Sequence, residues 1–207
     1  MSGNCLPRLF YSRRTEDVAK DLIGMRLVRM PTPYNGVKVR LSGNIVETEA
    51  YGASDDEASH ARMGPTLRNS GMFGKVGSAY VYFTYGTHYC VNVTARSASQ
   101  QAGAVLIRAL EPVEGIEAMK DNRGQQDLRS LASGPGKLTK AMRIGPSQNG
   151  ADMTSPQSEI FIERGHTPAR IVSGPRIGIT RATEVNWRFL DPAASEYVSR
   201  RIRINEP

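Results

Sequence analysis

The central stretch of the sequence, AYVYFTYGTHYCVNVTA at residues 79–95, is rich in the aromatic and β-branched residues that favour strands. Two strand-like runs, Ala79–Tyr85 and Tyr89–Ala95, flank the pair Gly86-Thr87, which predicts the tip of a β-hairpin. A third strand-like run, Ala104–Leu110, follows shortly after. Strands this close in sequence favour antiparallel pairing, so the stretch indicates an antiparallel sheet.

The flanking segments extend this pattern toward both ends of the chain. Upstream, we predict a helix over Thr15–Ile23 with Thr15 as its N-cap, a strand over Arg26–Met30, a loop from Pro31 to Gly36, a long strand or bent hairpin arm over Val37–Tyr51, and a helical turn near Asp56–His60. Downstream, we predict a helix from Pro112 to about Asp121, a flexible loop over 122–136, and strands over Glu159–Glu163 and Arg170–Thr180.

These elements predict an α+β fold: a single compact domain over residues 1–207, with a curved, mostly antiparallel sheet and flanking helices. The length suits one or at most two domains. Residues 1–8 and 199–207 are expected to be flexible ends.

The composition excludes several classes of protein and leaves a basic chain. No apolar run approaches the roughly 20 residues of a membrane helix, and the N-terminus lacks the apolar core of a signal peptide. Only two cysteines, Cys5 and Cys90, are present, so we do not expect a disulfide framework or a cysteine metal site. We expect a cytoplasmic location, because few cysteines suit a reducing compartment. The net charge is +7, and 21 of the 27 basic residues are arginines, which suit phosphate oxygens.

The tyrosines are concentrated in one part of the chain. Five of the eight lie within the 39 residues from Tyr51 to Tyr89. Clustered aromatic side chains on a basic chain favour base stacking beside phosphate binding. Alternatively, these tyrosines pack one face of a sheet, because tyrosine is a good strand former. Strand periodicity places Tyr80 and Tyr82 on one face and Tyr85 on the other, at the hairpin tip.

Two further stretches of the sequence combine charged residues with a strand pattern. In VETEAY, residues 46–51, a strand places Glu47, Glu49 and Tyr51 on one face. We expect Glu47 on an exposed, solvated face, whereas Glu49 suits an exposed face and a site equally. Arg108 interrupts the apolar run 104–110, so it either pairs with a carboxylate such as Glu111 or contacts an anion or water in a site.

Eight motifs, in the same order along the chain, resemble those of the alkyladenine (3-methylpurine) DNA glycosylases. The chain is most similar to the bacterial type of this family, and the similarity extends from about Leu9 to Val198. They are Val46–Tyr51, Asp56–His60, Arg68–Phe73, Tyr80–Gly86, Cys90–Asn92, Ala104–Pro112, Ser133–Leu138 and Arg176–Ile179.

The resemblance implies a role for each matched residue. Glu49 would be the general base that activates water, and Arg108 would hold that water or a phosphate. The hairpin would protrude and enter the minor groove. The other implied roles are a base pocket formed by Tyr51, His60, Tyr82, Asn92 and Leu106, and DNA contact by Tyr85 as the intercalating side chain with Gly86, Thr87 and His88 beside it.

The resemblance therefore implies a DNA glycosylase of base excision repair that releases alkylated or deaminated purines, such as 3-methyladenine and hypoxanthine, from double-stranded DNA. It implies no metal and no organic cofactor, and we expect a monomer. Lys75 is the only lysine in residues 46–112, which span the first six motifs, so a monofunctional enzyme is expected. Two rival functions stay open: a non-catalytic double-stranded nucleic-acid-binding protein, and a glycosidase or nucleoside hydrolase acting on small substrates.

Overall fold

The computed structural model describes residues 4–84 and 86–200, with the backbone alone for 31–34. In these residues the regular structure consists of eight strands, five short α-helices and three 3-10 helices. The helices are α1 (Arg8–Tyr11), α2 (Thr15–Asp21), α3 (Ser70–Phe73), α4 (Ile116–Arg123) and α5 (Pro135–Ala141). The strands are β1 (Arg26–Tyr34), β2 (Val37–Tyr51), β3 (Ala79–Thr84), β4 (His88–Thr94), β5 (Ala104–Glu114), β6 (Ile160–Glu163), β7 (Val172–Gly174) and β8 (Arg188–Leu190). Across these described ranges, no helix combines the length and the apolar character needed to cross a bilayer.

All strands join one sheet, and every pair is antiparallel. The order is β3-β4-β5-β2-β1-β6, and β8 pairs with both β2 and β7. The long strand β2 organises the sheet, because its first part pairs with β1 and its last part, around Glu49, pairs with β8. The predicted α+β fold with an antiparallel sheet is confirmed.

The main hydrophobic core lies between the sheet and helices α2, α4 and α5. Apolar side chains from all of these elements share one cluster, among them Val18, Ile45, Ile107, Met119 and Leu138. A smaller cluster lies beside the end of β2 and includes Met72, Tyr80 and Ala104. This smaller cluster packs beside the candidate site, where several polar residues lie close together.

The predictions for the first half of the chain are mostly confirmed. Strand β2 has the predicted bounds, and a helix begins at Thr15. Thr15 is not the N-cap, however: Arg14 occupies that position, and the Thr15 hydroxyl donates to the Ala95 carbonyl at 2.9 Å. The loop prediction from Pro31 is also wrong at its start, because β1 continues to Tyr34 through pairing with β2.

Pro112 does not start a helix. It lies within β5, opposite Gly43 and next to a register irregularity, where a strand tolerates a residue without an N–H. The turn comes three residues later at Gly115, whose φ of 71° suits glycine, and α4 follows.

Three other segments differ from prediction. Residues 56–60 form turns rather than a helical turn, and a 3-10 turn over Leu128–Ser130 interrupts the predicted loop 122–136. Of the strand predicted over Arg170–Thr180, only Val172–Gly174 is extended and paired. The remainder is irregular and passes beside the end of β2, where the Ile177 N–H donates to the Glu49 side chain instead.

Candidate active site

A row of residues crosses five neighbouring strands at one level of the sheet. Strand pairing sets Tyr80 opposite Asn92, Asn92 opposite Leu106, and Leu106 opposite Glu49. On its other side, Glu49 lies opposite Arg188 of β8. Residues directly opposite in an antiparallel sheet project to the same face, so the sequence-distant Asn92, Leu106 and Glu49 are brought together by register alone.

This face forms one wall of a cavity of about 530 Å³. The second wall comes from the segments 57–62 and 177–181. Seven residues predicted for the site line the cavity: Tyr51, His60, Tyr82, His88, Asn92, Leu106 and Arg108. The volume lies within the range typical of small-ligand pockets.

Aromatic rings dominate one end of the cavity. The ring of Tyr82 lies 5.2 Å from that of His60, nearly edge-on, and 5.2 Å from that of Tyr80. Burial raises the pKa of Tyr80 to about 12, so its phenol stays protonated. Partial burial, together with Arg68, lowers the pKa of His60, so its ring is neutral at neutral pH. These rings offer flat, uncharged surfaces.

The Glu49 carboxylate belongs to this face but does not itself line the cavity, and it has no exposed surface. Three groups of wall residues donate to it: Tyr51 OH at 2.9 Å, Arg108 Nη1 at 2.9 Å and the Ile177 N–H at 2.7 Å. Burial raises the pKa of the Glu49 carboxyl, and these donors, Arg108 first, offset part of that rise. Burial thus makes the carboxylate more basic than usual, whereas the three donors favour its ionised form.

Arg108 owes its position to a bulge in β5. Ile107 pairs with Thr48 and Ala109 with Glu47, so Arg108 has no residue of β2 opposite it. Bulges re-aim a side chain, and this guanidinium reaches both Glu47 and Glu49. Glu111, the carboxylate considered as its partner from the sequence, instead accepts from the Asn44 amide.

The expectation of an exposed, solvated Glu47 is wrong, because the side chain has no exposed surface. It accepts from the Nε atoms of Arg108 and Arg188, at 3.0 Å and 2.7 Å. The charge is tolerated because two buried guanidinium groups pair with it. Neither β8 nor Arg188 was predicted to belong to the site. The strand has only three residues, Arg188–Leu190, which is too short to show a recognisable alternating pattern.

A buried ion pair links the residues that directly precede the two segments of the second wall. Asp56 and Arg176 bond through both carboxylate oxygens, at 2.7 Å and 2.8 Å, with side chains 1% and 0% exposed. The Arg176 guanidinium also lies 4.8 Å from the ring centre of Tyr51 and 5.4 Å from that of Trp187. Arg176 thereby fixes the Tyr51 ring and the approach of Ile177 to Glu49.

The floor of the cavity carries a fixed amide and a thiol. Asn92, 3% exposed, donates from Nδ2 to the Tyr80 carbonyl at 3.0 Å, which sets the orientation of its amide. Cys90 lies nearby, and burial raises the pKa of its thiol to about 11. Both groups are therefore uncharged at neutral pH.

Strands β3 and β4 form the predicted hairpin at the cavity edge. Tyr85, the residue predicted to intercalate, lies outside the described residues. Gly86 and Thr87 are exposed, and the Thr87 hydroxyl lies 2.8 Å from His88 Nδ1. His88 borders both this cavity and a second one of about 510 Å³, which is lined by basic residues that include Arg123, Lys137 and Lys140.

The described part of the chain groups no three His, Cys, Asp or Glu side chains that could hold a metal. The chemistry present is a buried carboxylate with raised basicity, an arginine fixed against it, and an aromatic cavity in front of both. Such a set suits removal of a proton from water beside a flat ligand.

Known proteins are similar in sequence to this chain over most of its length. The family model for Methylpurine-DNA glycosylase matches residues 9–195. A protein of Rhodopseudomonas palustris is 47% identical over 90% of this chain and 87% of its own length. One of Carboxydothermus hydrogenoformans is 50% identical over 89% and 93%, and one of Koribacter versatilis 41% over 94% and 92%. All three are named as candidate 3-methyladenine DNA glycosylases. The chain therefore belongs to the methylpurine-DNA glycosylase family.

Proposed function

We propose that this protein hydrolyses the N-glycosidic bond of alkylated or deaminated purines turned out of duplex DNA and leaves an abasic site. One observation carries the proposal. Glu49 is a fully buried carboxylate of raised pKa, bonded to Tyr51, Arg108 and Ile177, each of which lines the aromatic cavity. A protein that only binds nucleic acid has no need to bury a basic carboxylate behind its pocket.

The cavity suits an extruded purine. Tyr51, Tyr82 and His60 supply aromatic surfaces, and a purine alkylated on the ring is a cation that an electron-rich face attracts. The energy of unpairing a base is a few kcal/mol, and it is smaller for a damaged one. Asn92 and Leu106, at the floor, are proposed to contact the edge of the base and thereby discriminate among purines.

In the proposed hydrolysis, water attacks C1′ of the sugar while the bond from C1′ to the purine nitrogen breaks. The bonding electron pair leaves with the purine, neutralising an alkylated base, and Glu49 takes the proton of the water. Glu49 also stabilises the positive charge that develops on the sugar. Three of about four acceptor sites of its carboxylate are occupied, so one remains for the water.

Water must reach Glu49 past the wall residues, so local movement of Tyr51 or of the segment 177–181 belongs to the proposal. Arg108 would remain bonded to Glu49 and hold the water or a neighbouring phosphate. For neutral purines such as hypoxanthine, the leaving base must gain a proton from another source.

Duplex DNA is proposed to bind across the hairpin. Tyr85 would fill the gap left by the extruded base, and Gly86, Thr87 and His88 would contact the DNA beside it. Arg62 and Arg181 line the main cavity, and the second cavity is basic, so phosphates on both sides of the base meet positive charge. No lysine is among the described residues lining the main cavity, which favours a monofunctional enzyme.

The test is base release from duplexes that each carry one lesion: 3-methyladenine, 7-methylguanine, hypoxanthine or ethenoadenine. We expect release of at least one modified base and strand breaks only after alkali treatment. Strand cleavage without alkali would contradict the monofunctional assignment. Binding without release of any base would favour the rival non-catalytic function.

A further inference from the structure

We propose that Glu47 is a positioning residue that, with Arg188 and Ser199, fixes Arg108 against Glu49 and balances the charge around that pair. This proposal rests on the proposed function of Glu49. Its basis is a network of buried groups that lies behind the cavity and includes the last described residues of the chain.

The Glu47 carboxylate is the centre of this network. Its Oε1 accepts from Arg108 Nε at 3.0 Å, from Arg188 Nε at 2.7 Å and from the Ser199 hydroxyl at 2.8 Å. Its Oε2 accepts from the Ser199 N–H at 2.6 Å. Glu47 does not line the cavity, so it acts through the groups that it holds.

Arg108 is restrained at three of its nitrogens. Nε donates to Glu47, Nη1 to Glu49 at 2.9 Å, and Nη2 to Ser199 at 3.2 Å. Because Arg108 lies at a bulge, the strand pairing leaves its direction to these side-chain bonds. Without Glu47, Arg108 keeps its bond to Glu49 but loses the partner that sets the angle of the guanidinium plane.

The network also sets the charge that Glu49 experiences. Two buried carboxylates, Glu47 and Glu49, accompany two buried guanidinium groups, Arg108 and Arg188. The polar and charged groups near Glu49 come from every element packed around it. They are Arg108 of β5, Tyr51 and Glu47 of β2, Arg188 of β8, Arg176 and the Ile177 N–H, and Tyr82 and Cys90 of β3 and β4. Among them, the charge of Glu47 raises the pKa of Glu49.

Replacing Glu47 by glutamine keeps the size of the side chain and removes its charge. Arg108 is then held less firmly, so the rate of base release falls. At the same time the pKa of Glu49 falls, because a neighbouring negative charge is gone. Since Glu49 must be ionised to accept a proton, the pH below which activity is lost moves to a lower value.

The experiment measures single-turnover base release by Glu47→Gln from pH 4 upward, together with the Kd for the same duplex. We expect release to be about 10- to 100-fold slower, the effect of small misplacement in a site. We also expect an acid limb at lower pH and an affinity within about threefold of the parent protein. A purely structural role would not move the acid limb.

Glu114→Gln is the matched control, because Glu114 also accepts from an arginine and a serine, Arg40 at 2.8 Å and Ser42 at 2.5 Å, at the far end of β5. It should leave both the rate and the acid limb unchanged. A Glu47→Gln protein with the parent rate, or with a lower rate and an unmoved acid limb, would overturn the proposal. If the parent protein releases no base, the proposed function fails instead.

If the Glu47→Gln protein does not fold, Ser199→Ala tests the proposal instead, because it keeps the charges of both carboxylates and both guanidinium groups. It removes the hydroxyl that bonds to both Glu47 and Arg108. We expect release about 3- to 10-fold slower, the size of one lost hydrogen bond, with the acid limb unmoved. An unchanged rate would overturn the proposal.

Discussion

Replacing Asp56 by asparagine should destabilise the protein far more than an ordinary surface substitution. The change keeps the shape of the side chain but leaves the Arg176 guanidinium buried without a counter-charge. The two side chains are 1% and 0% exposed, so water cannot replace the lost partner. Breaking a buried ion pair by removing one member costs about 3–5 kcal/mol of unfolding free energy. For a chain of this length, that lowers Tm by about 6–20 °C.

The matched control is Asp21→Asn. Asp21 bonds to Arg13 at 2.7 Å, a similar distance, but the side chains are 48% and 38% exposed. Such a pair contributes about 0–1 kcal/mol, so its loss should shift Tm by no more than a few degrees. Urea and thermal unfolding of both variants provide the comparison.

The double variant Asp56→Asn/Arg176→Met separates pairing from packing. Removing the unpaired charge should recover part of the stability, so the combined loss should be smaller than the sum of the two single losses. If Asp56→Asn costs no more than Asp21→Asn, or the two losses simply add, then the ion pair does not join the walls as described.

Three further outcomes are expected. The rate of base release should be constant at higher pH and should fall as the pH is lowered, with a midpoint above 4.5, the ordinary pKa of a glutamate. The reason is that burial raises the pKa of Glu49 and that its ionised form must accept the proton. Single-turnover rates across pH measure this midpoint, and a midpoint at or below 4.5 would contradict the prediction. Gly71→Ala should destabilise by about 1–3 kcal/mol, because the new Cβ would lie 2.5 Å from Cδ2 of Tyr80; urea unfolding at parent stability would argue against this close contact. Tyr85→Ala should lose more activity on duplex than on single-stranded DNA, and equal losses would mean that Tyr85 does not act by intercalation.

Much of the sheet was predictable because local pattern and tertiary structure agree there. Strand β2 alternates clearly and ends where the polar segment begins, so both of its ends were found. Strands β3 and β4 are rich in tyrosine and valine on both sides of a turn signal. The prediction of a helix start at Pro112 was wrong, because the pairing of β5 with β2 outweighs the preference of proline for helix starts. No local sequence pattern reveals that pairing.

The charged part of the site could be predicted only in part. Period-two spacing put Glu49 and Tyr51 on one face, and their hydrogen bond at 2.9 Å agrees with it. The same spacing could not show whether that face is covered, so Glu47 was expected in solvent. Its burial depends on Arg188 and Ser199, more than 140 residues away in sequence. Arg176 lay in a matched motif, but its contact with Asp56 also depends on the fold.

Single-turnover base release by Glu49→Gln, measured beside its affinity for the same methylated-purine duplex, tests the central claim most directly. Glutamine keeps the size and accepting oxygen of the side chain but cannot take a proton from water. The proposed mechanism predicts that base release is abolished while the Kd stays within a few-fold of the parent value. Release near the parent rate, with the variant folded and bound to DNA, would contradict the assignment of Glu49 as the general base.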